Sequence, residues 1–392
     1  MFETLLQRGE HLAEVQAQRA VLRFLNGIDW LIRDPTQVVG RTPYDVVYRR
    51  GKLELRRYHH AHVRIPPRFD LPVLLVPPLM VKPFVFDLWP GRSLVRHLLD
   101  RGFDVFLVDF GEPDAADAYV TLDDYILDWL PAACRQLRAV SRQRELSVIG
   151  YCMGGLMMLM ALGVRRDLGV RNLVTIGAPL DVSKMGPFAW MTKMAGGQVE
   201  FLSRRIGNVP GGLSSAVFRL MTPAKNITRY ADLFMNMWDR EYVNGFDAMN
   251  QWVSQFIDYP QGAFLQFVRD FMQHNQLAEG KMRFGGKVAD LERITANLLA
   301  FAGRTDRIAP PAAVRAQLDA LGSTDTTFRL APGGHMGVFA GHSAPRQVWQ
   351  PTAEWLAPRS LARPMPPRAA TATRIATRAT RGPRRTRRAA TH

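Results

Sequence analysis

From residue 71 onward, apolar positions gather into short unbroken runs: "LPVLLVPP", "FDVFLVDFG", "LSVIG", "VRNLVTIGAP", "TANLLAFAG" and "TTFRLAPGG". Runs of that length without polar alternation are characteristic of strands buried on both faces of a parallel sheet. Between them lie stretches in which apolar residues recur every three or four positions. These are "SLVRHLLDRG" closing on Gly102, "LDDYILDWLPAACRQLRAV", the segment after Cys152, one starting at Pro311, and "PRQVWQPTAEWL". That spacing gathers apolar side chains on one side of a helix, and a glycine just past the end stops it. Strands alternating with helices predict an α/β fold, a mostly parallel sheet with helices on both faces.

Two regions break this rhythm. Residues 181–290 read as a helical cap insertion between two strands, rich in Met185, Phe188, Trp190, Met191, Met194, Phe234, Met235, Met237 and Trp238. Those side chains are expected both to pack the cap and to line an apolar entry, because insertions at the C-terminal ends of parallel strands overlie the ligand crevice. Residues 1–65 read as a helix followed by extended segments; Leu5, Leu12, Val15, Leu22 and Leu25 fall on one helix face. The core then comprises residues 66–180 and 291–358. In "RRYHHAHVRIP", His60 and His62 share one face of a strand, but no further ligands cluster with them, so a packed or solvated strand is expected and no metal.

Composition matters mainly at the ends. An apolar content of 47% with 10% aromatics is that of a folded chain. Of the formal net charge of +16, ten arginines sit in residues 359–392 with no acid beside them, leaving +6 for the body. This Arg/Ala/Thr/Pro-rich tail is expected to be disordered, either a solvated appendage or a contact for nucleic acid or an anionic surface. Two cysteines exclude a disulfide framework. The first twenty residues lack the apolar core of a secretory signal, and "GLMMLMALGV" is far shorter than the ~20 residues of a membrane span. A cytoplasmic chain with no transmembrane segment is the expectation.

One of the two cysteines stands in a telling place. "VIGYCMGG" is a strand, a tight turn and a helix start, with Gly150-Tyr151-Cys152-Met153-Gly154 forming a G-x-S-x-G nucleophile elbow in which cysteine replaces serine. Gly150 and Gly154 leave room for close backbone approach, and a thiolate at a helix N-terminus is favoured by the dipole. Such an elbow expects an acid and then a histidine, each after a later strand. Asp306 in "AGRTDRIAPP" and His335 in "APGGHMGVF" supply them, 154 and 29 residues further on; His342 is a weaker competitor for the base. The backbone N–H of Met153 is one expected oxyanion donor, and Met80 or Val81, after "LLVPP", the second. Cys134, inside a helix, reads as core. A thiol suits acyl transfer from a thioester, because exchanging one thioester for another keeps the acyl group activated.

The chain resembles the polyhydroxyalkanoate synthases, nearest to their class III catalytic subunits. The resemblance runs from about residue 65 to 357 and rests on "KPFVFDLWPGRSLVRHLLDRGFDVFLVDFGEPDAADAYVTLDDYI", "GYCMGG", "RYADLFMNMWDREYVNGFDAMNQWV", "FVRDFMQHNQLAEGKMRFGGKVADL", "AGRTDRIAPP" and "GGHMGVF". It implies an α/β-hydrolase fold in which Cys152 carries the growing acyl chain and His335 activates it. Asp306 would orient His335 or help deprotonate the incoming hydroxyl. It further implies (R)-3-hydroxyacyl-CoA as substrate, polyester and CoA as products, and no cofactor. A homodimer formed through the cap and a second synthase subunit are also implied; the Arg-rich tail, outside the family pattern, is a candidate contact for the polymer granule or nucleic acid. The chain departs from the family pattern at Val81-Lys82, where synthases carry Asn-Arg, at Phe110 in place of Trp, and at Met153 in place of Gln. These departures leave a second reading, a synthase-like thioesterase, esterase or non-polymerising acyltransferase.

Overall fold

The structure is a computed structural model that describes residues 2–32, 39–60, 67–89, 91–186, 189, 197–198, 205, 207–220 and 223–361. Eight strands form the main sheet: β1 (Tyr44–Arg50), β2 (Leu53–Tyr58), β3 (Val73–Val76), β4 (Val105–Asp109), β5 (Leu146–Tyr151), β6 (Val170–Ile176), β7 (Asn297–Gly303) and β8 (Thr326–Ala331). Their spatial order is β1-β2-β4-β3-β5-β6-β7-β8. The six from β3 to β8 run parallel, while β1 and β2 form a hairpin whose second strand pairs antiparallel with β4. The apolar runs explain the burial. Alternate residues of a strand point to opposite faces, so Leu74, Val76, Phe106 and Val148 join one core cluster and Val73, Leu75, Val105 and Ile149 the other.

Helices α2 (Leu94–Leu99), α3 (Leu130–Ser141), α4 (Met153–Val164), α9 (Pro311–Ala320), α10 (His335–Ala340) and α11 (Gln350–Leu356) connect or cover the strands. Between β6 and β7 lie α5 (Gly211–Leu220), α6 (Pro223–Asn236), α7 (Arg240–Ser254) and α8 (Gln261–Gln266), then a π-helical turn, Phe267–Gln273, and a small hairpin at residues 283–288. Helix α7 starts cleanly because Asp239 caps it, accepting from the amides of Glu241 and Tyr242.

Four expectations need correction. The β1–β2 pair, assigned to an N-terminal segment, continues the core sheet, because Leu53, Leu55 and Tyr58 are buried on it. Its edge strand carries a bulge between Val46 and Tyr48 and ends in Arg49 and Arg50. Helix α1 (Phe2–Ile32) forms, but its polar side is the one engaged: Asn26 donates to the Met237 carbonyl, Trp30 donates to Asp247, and Arg19 covers the Trp238 ring. Leu22 and Leu25 face outward, exposed with Phe24, Ile28 and Leu31. The expected tail starts three residues too early, since Arg359 pairs with Asp325, Ser360 is buried and the Leu361 carbonyl accepts from Arg171. Strand β2 ends at Tyr58, so His60 lies beyond it, 3.7 Å from Asp100; His62 lies outside the described residues, as do Phe188, Trp190, Met191, Met194 and residues 362–392.

Candidate active site

The turn between β5 and α4 is built around one strained residue. Cys152 has φ 51° and ψ −121°, one of three non-glycine residues with positive φ among those described. Holding a side chain there costs of order 1–3 kcal/mol, and the surroundings enforce it. The Cys152 amide donates to the Ile176 carbonyl at 2.8 Å, and its own carbonyl accepts from Gly155 and Leu156. A Cβ on Gly150 would lie 2.5 Å from the Gly155 Cα, and one on Gly154 would run into the Val76 carbonyl. Both glycines of the motif are therefore required by packing. The thiol is half-buried, at the N-terminus of α4, where the Met153 amide has no carbonyl one turn earlier to bond.

The acid and the base meet beside it. His335 opens α10 after the Gly333–Gly334 turn, and its Nδ1 lies 2.9 Å from Asp306 Oδ2. Asp306 follows β7; its Oδ1 accepts from the amides of Ile308 at 2.9 Å and Ala309 at 2.8 Å. The carboxylate is fully buried and the imidazole 8% exposed. Burial by itself would lower the His335 pKa. The negative charges of Cys152 and Asp306, with hydrogen bonds to both, outweigh it and raise the pKa to about 10. The arrangement thus favours a protonated imidazole steadied by a buried carboxylate.

Aromatic packing holds the histidine. The Tyr151 ring stacks on Phe339 at 4.1 Å and tilts against His335 at 5.4 Å, while its hydroxyl donates to the His335 carbonyl. Trp252 of α7 closes this cluster edge-on against both Tyr151 and Phe339. Sequence reasoning missed Tyr151 and Trp252, and also Tyr259, whose buried hydroxyl donates to the Met153 sulfur at 3.1 Å. Tyr151 carried a signal, since it sits inside the elbow motif. Tyr259 carried none, because its partner is 106 residues away.

The other expected positions separate. His342 is exposed, bonded to Arg92 at 3.0 Å rather than to Asp306. Met80 lies in the turn after β3, half-buried, with its carbonyl accepting from the Ile257 amide, and its side chain packs beside the same two core clusters as Cys152. In front of His335 opens a cavity of about 740 Å³ lined by Phe218, Tyr242, Phe246, Met249 and Val253 from the cap. Among the described residues, the Met and aromatic side chains expected to line an entry lie elsewhere. Met185 is buried in the core, and Phe234 and Met235 are exposed on α6.

Residues 72–341 match the α/β hydrolase fold family. A poly(3-hydroxyalkanoate) polymerase subunit PhaC from Allochromatium vinosum is 31% identical over 333 residues, covering 84% of this chain and 92% of that protein. The chain belongs to the PhaC family. A PhaC from Synechocystis is 30% identical over 349 residues, covering 86% of this chain and 90% of the relative. The Haloferax mediterranei PhaC is 34% identical, and the alignment covers 82% of this chain but 65% of that longer protein. Among solved structures, the monoacylglycerol lipase of Paleococcus ferrophilus aligns over 74% of this chain and 97% of its own, at 18% identity and a TM-score of 0.48.

Proposed function

We propose that this chain is an acyltransferase that polymerises (R)-3-hydroxyacyl-CoA into polyhydroxyalkanoate, with Cys152 as the covalent carrier. The observation that carries this reading is the strained Cys152 turn beside the His335–Asp306 pair, in a member of the PhaC family. The Cys152 thiolate attacks the thioester carbonyl, and the carbonyl electrons pass to the oxygen. In this scheme the Met153 amide and the backbone of the turn bearing Met80 receive that oxyanion. When it collapses, the carbon–sulfur bond to CoA breaks, His335 gives its proton to the departing thiolate, and an acyl-cysteine remains. The hydroxyl of a second hydroxyacyl unit then loses its proton to His335 and attacks that thioester, forming an ester and freeing Cys152.

For Asp306, the orienting role is the better supported. One of its oxygens binds the imidazole and the other two amides, and the carboxylate is fully buried behind the ring, which favours orientation over approach to a substrate hydroxyl. No cofactor enters this scheme, because each step moves only an acyl group and a proton. A second subunit fits the designation of the relatives as polymerase subunits. Homodimer formation through the cap, cytoplasmic location and granule contact belong to the same reading. Among the described residues, no helix is long and apolar enough to cross a membrane.

The test is an incubation of purified protein with (R)-3-hydroxybutyryl-CoA, following CoA release and separating polyester from free acid. Cys152-dependent polymer is the expected result. Free acid as the sole product would replace this reading with hydrolysis on the same elbow.

A further inference from the structure

The cavity in front of His335 is mostly apolar, but three arginines, Arg92, Arg219 and Arg307, also reach it. Two carboxylates share the lining: Asp239, which caps α7, and Glu241, whose carboxylate lies beside Gly91, the residue before Arg92.

Two of the arginines are attached to parts of the fold that are fixed relative to the catalytic pair. Arg92 donates to His342 Nδ1 at 3.0 Å and to the Gly91 carbonyl at 3.3 Å, and its guanidinium stands 5.9 Å from the centre of the buried Trp89 ring. Arg307 follows Asp306 directly, in the turn that the Asp306 carboxylate pins through Ile308 and Ala309. His335 lines this cavity, which gives the thiol arm of a thioester held at Cys152 and His335 a way out. In coenzyme A that arm is an uncharged pantetheine chain ending in a diphosphate and a 3′-phosphate. An apolar passage with guanidinium groups along it matches that order of chemistry. The guanidinium fork pairs phosphate oxygens two at a time, and its advantage grows where water is partly excluded.

We propose that Arg92 and Arg307, assisted by Arg219, bind the phosphates of the CoA arm and make the cavity selective for CoA thioesters over shorter thioesters lacking them. The inference rests on the reading that Cys152 takes its acyl group from a CoA thioester, and it assigns the residues that recognise the leaving group.

The experiment compares (R)-3-hydroxybutyryl-CoA with the corresponding pantetheine thioester, measuring kcat/KM for thiol release by the full chain, Arg92→Gln, Arg307→Gln and the double variant. Wild type should prefer the CoA thioester. Each single variant should lower that preference about tenfold, chiefly through KM, and the double variant further, as expected for charge-assisted hydrogen bonds. Arg92→Lys should restore part of it, keeping the charge but losing the fork. Damage to the fold would lower both rates and leave their ratio unchanged, so the ratio isolates phosphate recognition. An unchanged ratio in the double variant, or a wild type that treats both thioesters alike, would overturn the assignment. Failure of the wild type to release thiol from either would instead defeat the functional reading beneath it.

Discussion

The chain contains two cysteines, 18 residues apart, in surroundings that make them chemically different groups. Cys134 lies in the middle of α3, fully buried, where desolvation pushes its thiol up to about 12 despite the nearby Arg138 and Arg135. Cys152 sits at the end of a strand with a backbone that few side chains adopt, half-exposed, at a helix N-terminus and beside a histidine. The same side chain is a small apolar filler in one region and a nucleophile in the other. Reactivity here is a property of backbone and neighbours, with the sulfur common to both.

The sharpest way to break this contrast is to remove each sulfur. Cys152→Ala should abolish CoA release; turnover at the wild-type rate would remove the covalent mechanism altogether. Taking away the base is the next largest change. His335→Ala should slow CoA release about 10³-fold or more, and an intact rate would point to His342 despite its bond to Arg92. Asp306→Asn should cost about 10²-fold or more in rate, since the ring loses the partner that sets its tautomer.

The same substitution sharpens the electrostatics. In wild type the His335 pKa lies above its ordinary 6.5, so its interactions stabilise the folded chain fully below pH 6.5 and are lost as the pH rises through about 10. Without the Asp306 charge, burial has less to oppose it, and the midpoint for the ring, followed by NMR, should move down. A midpoint that stays near 10 would show that Cys152 alone holds the proton in place. The smallest effect belongs to the other sulfur. Cys134→Ala should leave kcat/KM unchanged and lower stability by about 1 kcal/mol, read from denaturant midpoints. Alkylation of the folded wild type should mark Cys152 and spare Cys134; modification of Cys134 under those conditions would contradict its burial.

Much of the fold could be read from the chain because burial on both faces of a sheet leaves continuous apolar runs. Strands β3, β4, β6 and β7 lie within the segments that pattern marks, and β5 runs one residue past its segment to Tyr151. Strand β8, though also marked, is a partly exposed edge strand. The β1–β2 segment reads as extended but not as part of the core sheet, because a strand near an edge, with one wet face, mixes arginine and glutamate among its leucines. Cys152, Asp306 and His335 were legible since each follows a strand directly, and local sequence encodes that. Tyr259, Trp252 and the cavity arginines reach the site only through the tertiary arrangement of the cap and hairpin, which no local spacing records. Helix α1 misled differently: its period is that of an amphipathic helix, yet Asn26 and Trp30 make the contacts while Leu22 and Leu25 face outward.

The bulged edge strand β1 has a consequence for solubility. An open sheet edge is a template on which another chain can add a strand, and such pairing leads to aggregates. The irregular step between Val46 and Tyr48 breaks the register an incoming strand would need, and Asp45, Arg49 and Arg50 place charges along it. In these features, the outer rim of the sheet is built to discourage self-association.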